Sequence, residues 1–169
     1  IRNIFVSSDS NKILKVAKKY GAKQIKRPKS ISGDHAKSES AVLHALSLVG
    51  DKQKGIVMLE PTAPLRSPDD LDKCVKNFLK NDWDSGFSGA YLADFLIWKM
   101  KKKRLQSINY DYKKQGPRQL RAPDIVENGA IYIFKPKIIK KHNNRFGGNI
   151  GLYPMKFWQS FEIDEIEDW

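Results

Sequence analysis

The sequence predicts an α/β fold with a doubly wound, mainly parallel sheet, and three observations carry that reading. Short apolar runs alternate with amphipathic helical stretches from Ile4 to Ala90, the rhythm of strand–helix–strand units. The run Ile56-Val57-Met58-Leu59 leads straight into Glu60-Pro61-Thr62-Ala63-Pro64-Leu65-Arg66. That loop is stiffened by two prolines at the carboxyl end of a buried strand, where ligands bind in open α/β sheets. Finally, 169 residues with 40% hydrophobic and 11% aromatic content suffice for one domain with a real core and exclude disorder.

Taken in order, Ile4-Phe5-Val6 reads as a short buried strand. A residue of Ser7-Ser8-Asp9-Ser10 caps the helix after it, with Ile13, Leu14, Val16, Ala17 and Tyr20 facing inward and Gly21 as its stop. Lys23 to Lys26 forms a second strand that Arg27-Pro28 breaks. A polar loop, Ile31 to Ala36, precedes a helix from Ser38 to Val49 with Val42, Leu43, Leu46 and Val49 inward and Gly50 beyond it. After the proline-bracketed loop, Asp69-Asp70 open a third helix on the favourable side of its dipole, with Leu71, Val75, Phe78 and Leu79 inward. Asp84 to Ala90 is the next strand.

The pattern then changes. Phe95-Leu96-Ile97-Trp98 and Leu105-Gln106-Ser107-Ile108 flank a lysine-rich segment as a hairpin, and a polar stretch from Asp111 to Pro123 follows. The excursion over 91–123 is either a lid or a dimerisation arm. Gly129 to Phe134 is a core strand, then come a short lysine-rich helix and late strands at Gly151–Tyr153 and Phe161–Ile163. The chain, 1–169, reads as a single domain without internal repeats. It opens inside a strand pattern and stops inside an acidic motif, so it reads as the interior of a longer protein.

No apolar run approaches the ~20 residues of a membrane span, and no secretory signal is visible. The single cysteine, Cys74, sits in a helical pattern as a buried structural thiol and suits a reducing cytoplasm. The net charge of +12 suits an anionic partner, but the excess is lysine spread along helices, and no RNA-binding signature accompanies it. A basic nucleic-acid binder is therefore a minor alternative.

Two groups of residues carry candidate chemistry. Five acids fall within Glu162-Ile163-Asp164-Glu165-Ile166-Glu167-Asp168. If Glu162-Ile163-Asp164 is extended, Glu162 and Asp164 point to one side and suit a hard divalent cation; the alternative is a solvated acidic helix start. Arg27, Arg66, Arg118 and Arg121 stand beside loop formers and suit phosphates or carboxylates. Ser7 to Ser10 and Ser38 offer hydroxyls or helix-terminal amides to an anion. His35, His44 and His142 form no metal pattern, and neither a GxGxxG nor a Walker loop occurs.

Together these motifs resemble the cytidylyltransferases that activate acidic sugars, above all the acylneuraminate (CMP-sialic acid) synthetases, with CMP-Kdo synthetases more distant. The likeness rests on Val6 to Ser10, Tyr20-Gly21-Ala22 leading to Arg27-Pro28, Asp34 to Ser38, Leu59 to Arg66, Pro117-Arg118-Gln119, Glu127 to Ile133 and Phe161 to Asp168. It implies a three-layer α/β/α, Rossmann-like nucleotidyltransferase fold and transfer of CMP from CTP to the anomeric hydroxyl of a nonulosonic acid. By resemblance, Glu162 and Asp164 bind Mg²⁺ or Mn²⁺. Arg27, Ser38 and Asn128 serve the nucleotide, and Glu60, Tyr132, Arg66 and Lys99 the acidic nine-carbon sugar. Arg118 reaches the sugar from the neighbouring subunit of a homodimer with shared active sites.

Departures from the family pattern are specific. The family's first strand and glycine-containing phosphate loop are expected upstream of Ile1. Glu60 stands where many relatives carry glutamine; an ionised carboxylate only accepts hydrogen bonds and repels a sugar carboxylate. Val126 stands where many carry arginine, and Glu162 where aspartate is frequent. Another sugar such as Kdo, or a non-catalytic homologue, remains the alternative reading.

Overall fold

The computed structural model describes residues 3–92 and 95–169. In chain order the elements are β1 (Phe5–Ser8), α1 (Asn11–Lys19), β2 (Lys23–Lys26), α2 (Ser38–Val49), β3 (Ile56–Met58) and α3 (Pro68–Lys80). There follow β4 (Ser85–Leu92), β5 (Trp98–Lys101), β6 (Arg104–Ser107), β7 (Asp124–Phe134), α4 (Pro136–His142) and β8 (Ile150–Pro154). The chain divides into two compact units, Ile1–Ile56 with Phe134–Gly148, and Val57–Ile133 with Asn149–Trp169.

In the first unit β1, α1 and β2 form a strand–helix–strand unit whose strands pair in parallel, from Phe5 beside Lys23 to Ser8 beside Lys26. Ser10 caps α1 by accepting from the Ile13 N–H, and the helix ends before Gly21 at φ 82°. Only Leu14 and Ala17 of α1 are buried, together with Ile25 of β2, whereas Ile13, Val16 and Tyr20 are exposed, contrary to the periodicity. The two-stranded pair beneath so short a helix covers one narrow stripe. In α2, Leu46 is buried and Val49, in the last turn, is exposed. Glu39 in the first turn of α2 accepts from Arg145 Nε at 2.9 Å, and Asp51 pairs with Lys140 of α4. Burial alone would raise the Glu39 carboxyl, but the hydrogen bond and charge of Arg145 bring it below its ordinary value.

In the second unit a four-stranded sheet runs in the order β3-β7-β4-β8, with β4 and β8 parallel. β7 is longer than the sequence pattern suggested, starting at Asp124 rather than Gly129. Helix α3 begins with Pro68 at its first position behind a Ser67–Asp70 cap, in which Asp70 Oδ2 accepts from the Ser67 N–H. It contributes Cys74 and Phe78 to a core with Ala63, Trp83, Ala130, Ile131, Ile133, Tyr153 and Met155. Leu79, expected inward, is exposed, because the buried stripe runs through Asp70, Cys74 and Phe78. Gly86 of β4 faces Gly151 of β8 in register, and the Trp83 ring lies over the pair. A Cβ on Gly151 would fall 1.8 Å from that ring. The Cys74 thiol is fully buried and pushed up to about 12 by burial and by the charge of Asp70, so it is structural, as expected.

The excursion forms the expected hairpin. Strands β5 and β6 pair antiparallel from Trp98 opposite Ser107 to Lys101 opposite Arg104. Trp98 packs against Tyr110 and Tyr112, with ring centroids 5.8 and 5.5 Å away. The Asn109 amide ties the hairpin base to β7, accepting from Ile97 N–H and donating to Phe95 O and Asp124 Oδ2.

One expected element does not form. Phe161–Ile163 is no strand: it is irregular, between 3-10 turns at Phe157–Ser160 and Ile166–Asp168. The Ile163 N–H donates to Thr62 O at 2.8 Å. The loop it meets is bracketed by Pro61 and Pro64, which have no N–H to extend a ladder.

Candidate functional site: an acidic segment mounted on the proline-bracketed loop

The site in the second unit is built on the loop after β3. Arg66 Nη1 donates to the Glu60 and Ala130 carbonyls, both at 3.0 Å, binding the loop to β7. Its guanidinium is half-buried, and desolvation lowers its pKa from the usual arginine value. Arg66, expected at the sugar, is placed as a brace.

Glu162 follows across this loop. Its carboxyl lies against the backbone of Gly129, which has φ 63°; a Cβ there would fall 1.8 Å from Glu162 Oε1. Burial raises the Glu162 pKa first, and the negative charges of Asp164 and Glu60 raise it further. Glu162 thus feels both neighbouring negative charges, and a cation beside it would relieve them. Asp168 Oδ2 accepts from the Glu165 and Asp164 N–H groups, which lowers its pKa in that order and fixes the backbone at Asp164.

These residues fit a hard divalent ion such as Mg²⁺ or Mn²⁺. Their donors are carboxylate oxygens, and Gly129 keeps clear the space that a side chain would fill. Among the described residues, no group of three or more His, Cys, Asp or Glu could hold a metal ion, so the protein would supply two carboxylates at most. The fit is therefore of the open kind, with one or two carboxylates and positions left for water and phosphate oxygens.

Other expected residues take different places. Asn128 is 2% exposed, and its side chain is engaged internally: Oδ1 accepts from Ser88 Oγ at 2.6 Å and from Ala130 N–H, while Nδ2 faces Met155 Sδ. It holds β7 to β4 rather than reaching out to a nucleotide. Tyr132 is buried, and its hydroxyl donates to Glu127 Oε1 at 2.7 Å. Lys99 is exposed on the hairpin opposite Gln106. Arg118 opens a 3-10 turn, and its side chain lies outside the described residues. Val126 lines an apolar groove of about 260 Å³ with Leu92, Phe95, Ile97, Phe157 and Phe161, which suits its being no arginine.

In the first unit Arg27 follows β2 and its N–H donates to Ser8 O at 3.0 Å. Its Nε and the Ser7 Oγ are buried without a hydrogen-bond partner among the described residues. Both lie at the carboxyl ends of parallel strands, and such orphaned polar atoms there suit a polar ligand. Ser38 is the half-buried first residue of α2. Reading the sequence gives no site role to Gly129, Gln159 or Asp70, and counts Asp168 only among the five acids. Asp70 left a signal in the Ser67-x-x-Asp70 capping spacing, as Asp168 did in Glu165-x-x-Asp168.

The architecture is α/β, with parallel strand–helix units. It superposes on a CMP:2-keto-3-deoxy-manno-octonic acid synthetase complexed with CTP, with a TM-score of 0.63 at 11% identity over 92% of this chain and 73% of that one. It also matches a 4-diphosphocytidyl-2C-methyl-D-erythritol synthase from Anaerococcus prevotii, with a TM-score of 0.63 at 11% identity over 99% and 78%. These likenesses show the fold.

The chain belongs to the cytidylyltransferase family, whose model matches residues 1–147. It is 27% identical over 178 residues to the post-translational flagellin modification protein B of Campylobacter coli, covering 99% of this chain and 74% of that protein. It is 33% identical over 170 residues to the N-acylneuraminate cytidylyltransferase of Escherichia coli, covering 98% and 40%. With the pseudaminic acid cytidylyltransferase of Campylobacter jejuni it shares 34% over 144 residues, covering 83% and 52%. The chain thus spans about half or less of the length of the last two. No helix among the described residues is long and apolar enough to cross a membrane.

Proposed function

We propose that the protein containing this chain transfers CMP from CTP to the anomeric hydroxyl of a nonulosonic acid, releasing pyrophosphate in the cytoplasm. The family match over residues 1–147 carries the reading. The sugar hydroxyl adds to the α-phosphorus as the bond to the bridging oxygen of the leaving pyrophosphate breaks. Glu162 and Asp164 hold Mg²⁺, or Mn²⁺ in its place, which when bound neutralises charge on the phosphoryl oxygens. Arg27 and Ser38 serve the cytidine part, and Asn128 acts by fixing β7. Glu60 faces the substrate side of the loop, with Lys99 at the sugar, and Tyr132 acts from within through its hydroxyl bond to Glu127. Arg118 serves the sugar of the partner in a homodimer.

The test is pyrophosphate release from CTP that requires both Mg²⁺ and an acidic nine-carbon sugar. Asp164→Ala is expected to abolish turnover while thermal unfolding stays near that of the parent; retained turnover would remove the metal site. Glu60→Gln is expected to change the preference among acidic sugars more than the rate with CTP. No turnover by the intact protein with any nonulosonic acid would sink the proposal.

A further inference from the structure

We infer that Gln159 is the positioning residue that mounts the acid pair on the proline-bracketed loop, and so sets divalent-cation affinity through the backbone. The inference rests on the cation-site reading above. Gln159 is 5% exposed, three residues before Glu162. Its Oε1 accepts from Lys156 N–H at 3.1 Å and closes its own turn. Its Nε2 donates to Leu65 O at 3.0 Å and to Asp70 Oδ2 at 2.9 Å. Asp70 is itself held: Oδ2 accepts from Ser67 N–H at 2.7 Å and Oδ1 from the Tyr153 hydroxyl at 3.1 Å.

Two bonds therefore dock the acidic segment on one loop, Gln159 to Leu65 and Ile163 to Thr62. Glu162 and Asp164 are the neighbours of Ile163. Arg66 fixes the other side of the loop to β7. The position calls for an amide, which donates to a carbonyl and a carboxylate while its oxygen accepts from an N–H. A glutamate would set acceptor against acceptor, and a lysine has no acceptor for Lys156. Tyr153 meets the other oxygen of Asp70 and so separates loss of the Asp70 network from loss of the mount.

The experiment compares Gln159→Met, Tyr153→Phe and Asp164→Ala in the intact protein. It uses amide hydrogen exchange at Ile163, Mn²⁺ binding read by electron paramagnetic resonance, and thermal unfolding. Gln159→Met keeps length and volume but loses every side-chain bond. It is expected to speed Ile163 exchange about tenfold and weaken Mn²⁺ binding about tenfold, the usual loss when a supporting partner of a metal ligand is removed. Tyr153→Phe is expected to lower thermal stability and leave both local readouts at parent values.

Parent-like Ile163 protection in Gln159→Met would overturn the inference, as would equal loss of Mn²⁺ affinity in Tyr153→Phe. If Asp164→Ala binds Mn²⁺ like the parent, the cation reading fails, and Ile163 exchange still decides whether Gln159 mounts the segment. Should Gln159→Met not fold, Gln159→Asn keeps the amide with a shorter reach and is expected to shift the same readouts in the same direction.

Discussion

Glu162 and Gly129 act as one unit. The carboxylate occupies the space a side chain at residue 129 would fill, and φ 63° at Gly129 costs an ordinary residue about 1–2 kcal/mol. Gly129→Ala is therefore expected to lower stability by about that much and to push Glu162 aside, weakening Mn²⁺ binding. Adding Glu162→Asp, which withdraws the carboxylate by one methylene, is expected to recover part of the binding. A single variant that binds Mn²⁺ like the parent would refute this placement. Asp70 offers a second residue-scale test. Burial raises its carboxyl, but hydrogen bonds from Ser67, Gln159 and Tyr153 bring it below the ordinary value. A depressed folded pKa contributes stability that is present above the unfolded value, about 3.9, and is lost as pH falls through the folded one. Asp70→Asn is expected to cost about 1.5–3 kcal/mol near neutral pH, a gap that closes under acid in urea titrations.

At the scale of elements, the β5–β6 hairpin turns through Lys102 and Lys103 at φ 47° and 61°. Both residues occupy the left-handed region that favours asparagine and glycine in a two-residue turn. Lys103→Gly is expected to raise stability by about 0.5–1 kcal/mol in urea unfolding, and destabilisation would rule out strain at this turn. The hairpin was legible in the sequence because apolar and aromatic residues flank a polar tip. α1, α2, β2 and β4 were legible through caps, glycine stops and periodicity. Their inward faces were less so: Ile13, Val16, Val49 and Leu79 keep the helical period yet stay exposed, since burial depends on what lies beneath a helix. The same limit applies to the site. The acids of Glu162–Asp168 stood out as composition, but Gln159 and Gly129 act through partners distant in sequence. Asn128 looked like a ligand residue because its bonds to Ser88 and Met155 exist only once β7 lies beside β4.

At the scale of the whole molecule, the second unit presents a groove beside Phe95, Phe157 and Phe161, which are 49%, 41% and 61% exposed. If the proposed homodimer covers this groove, the partner supplies its occupant. Phe95→Glu is expected to shift the protein to monomer in sedimentation. The chain carries +12, with a basic hairpin tip at Lys99 to Arg104, so salt should strengthen self-association by screening like charge. The decisive measurement concerns the sharing of active sites. If Arg118 serves the neighbour's site while Asp164 serves its own, Arg118→Ala and Asp164→Ala are each inactive alone. Their heterodimer then has one site with both residues intact. Random mixing makes half the dimers heterodimers, each with one of two sites restored, so activity should recover to about a quarter of the parent's. Recovery that fails although mixed dimers form would place Arg118 and Asp164 in the same subunit's site.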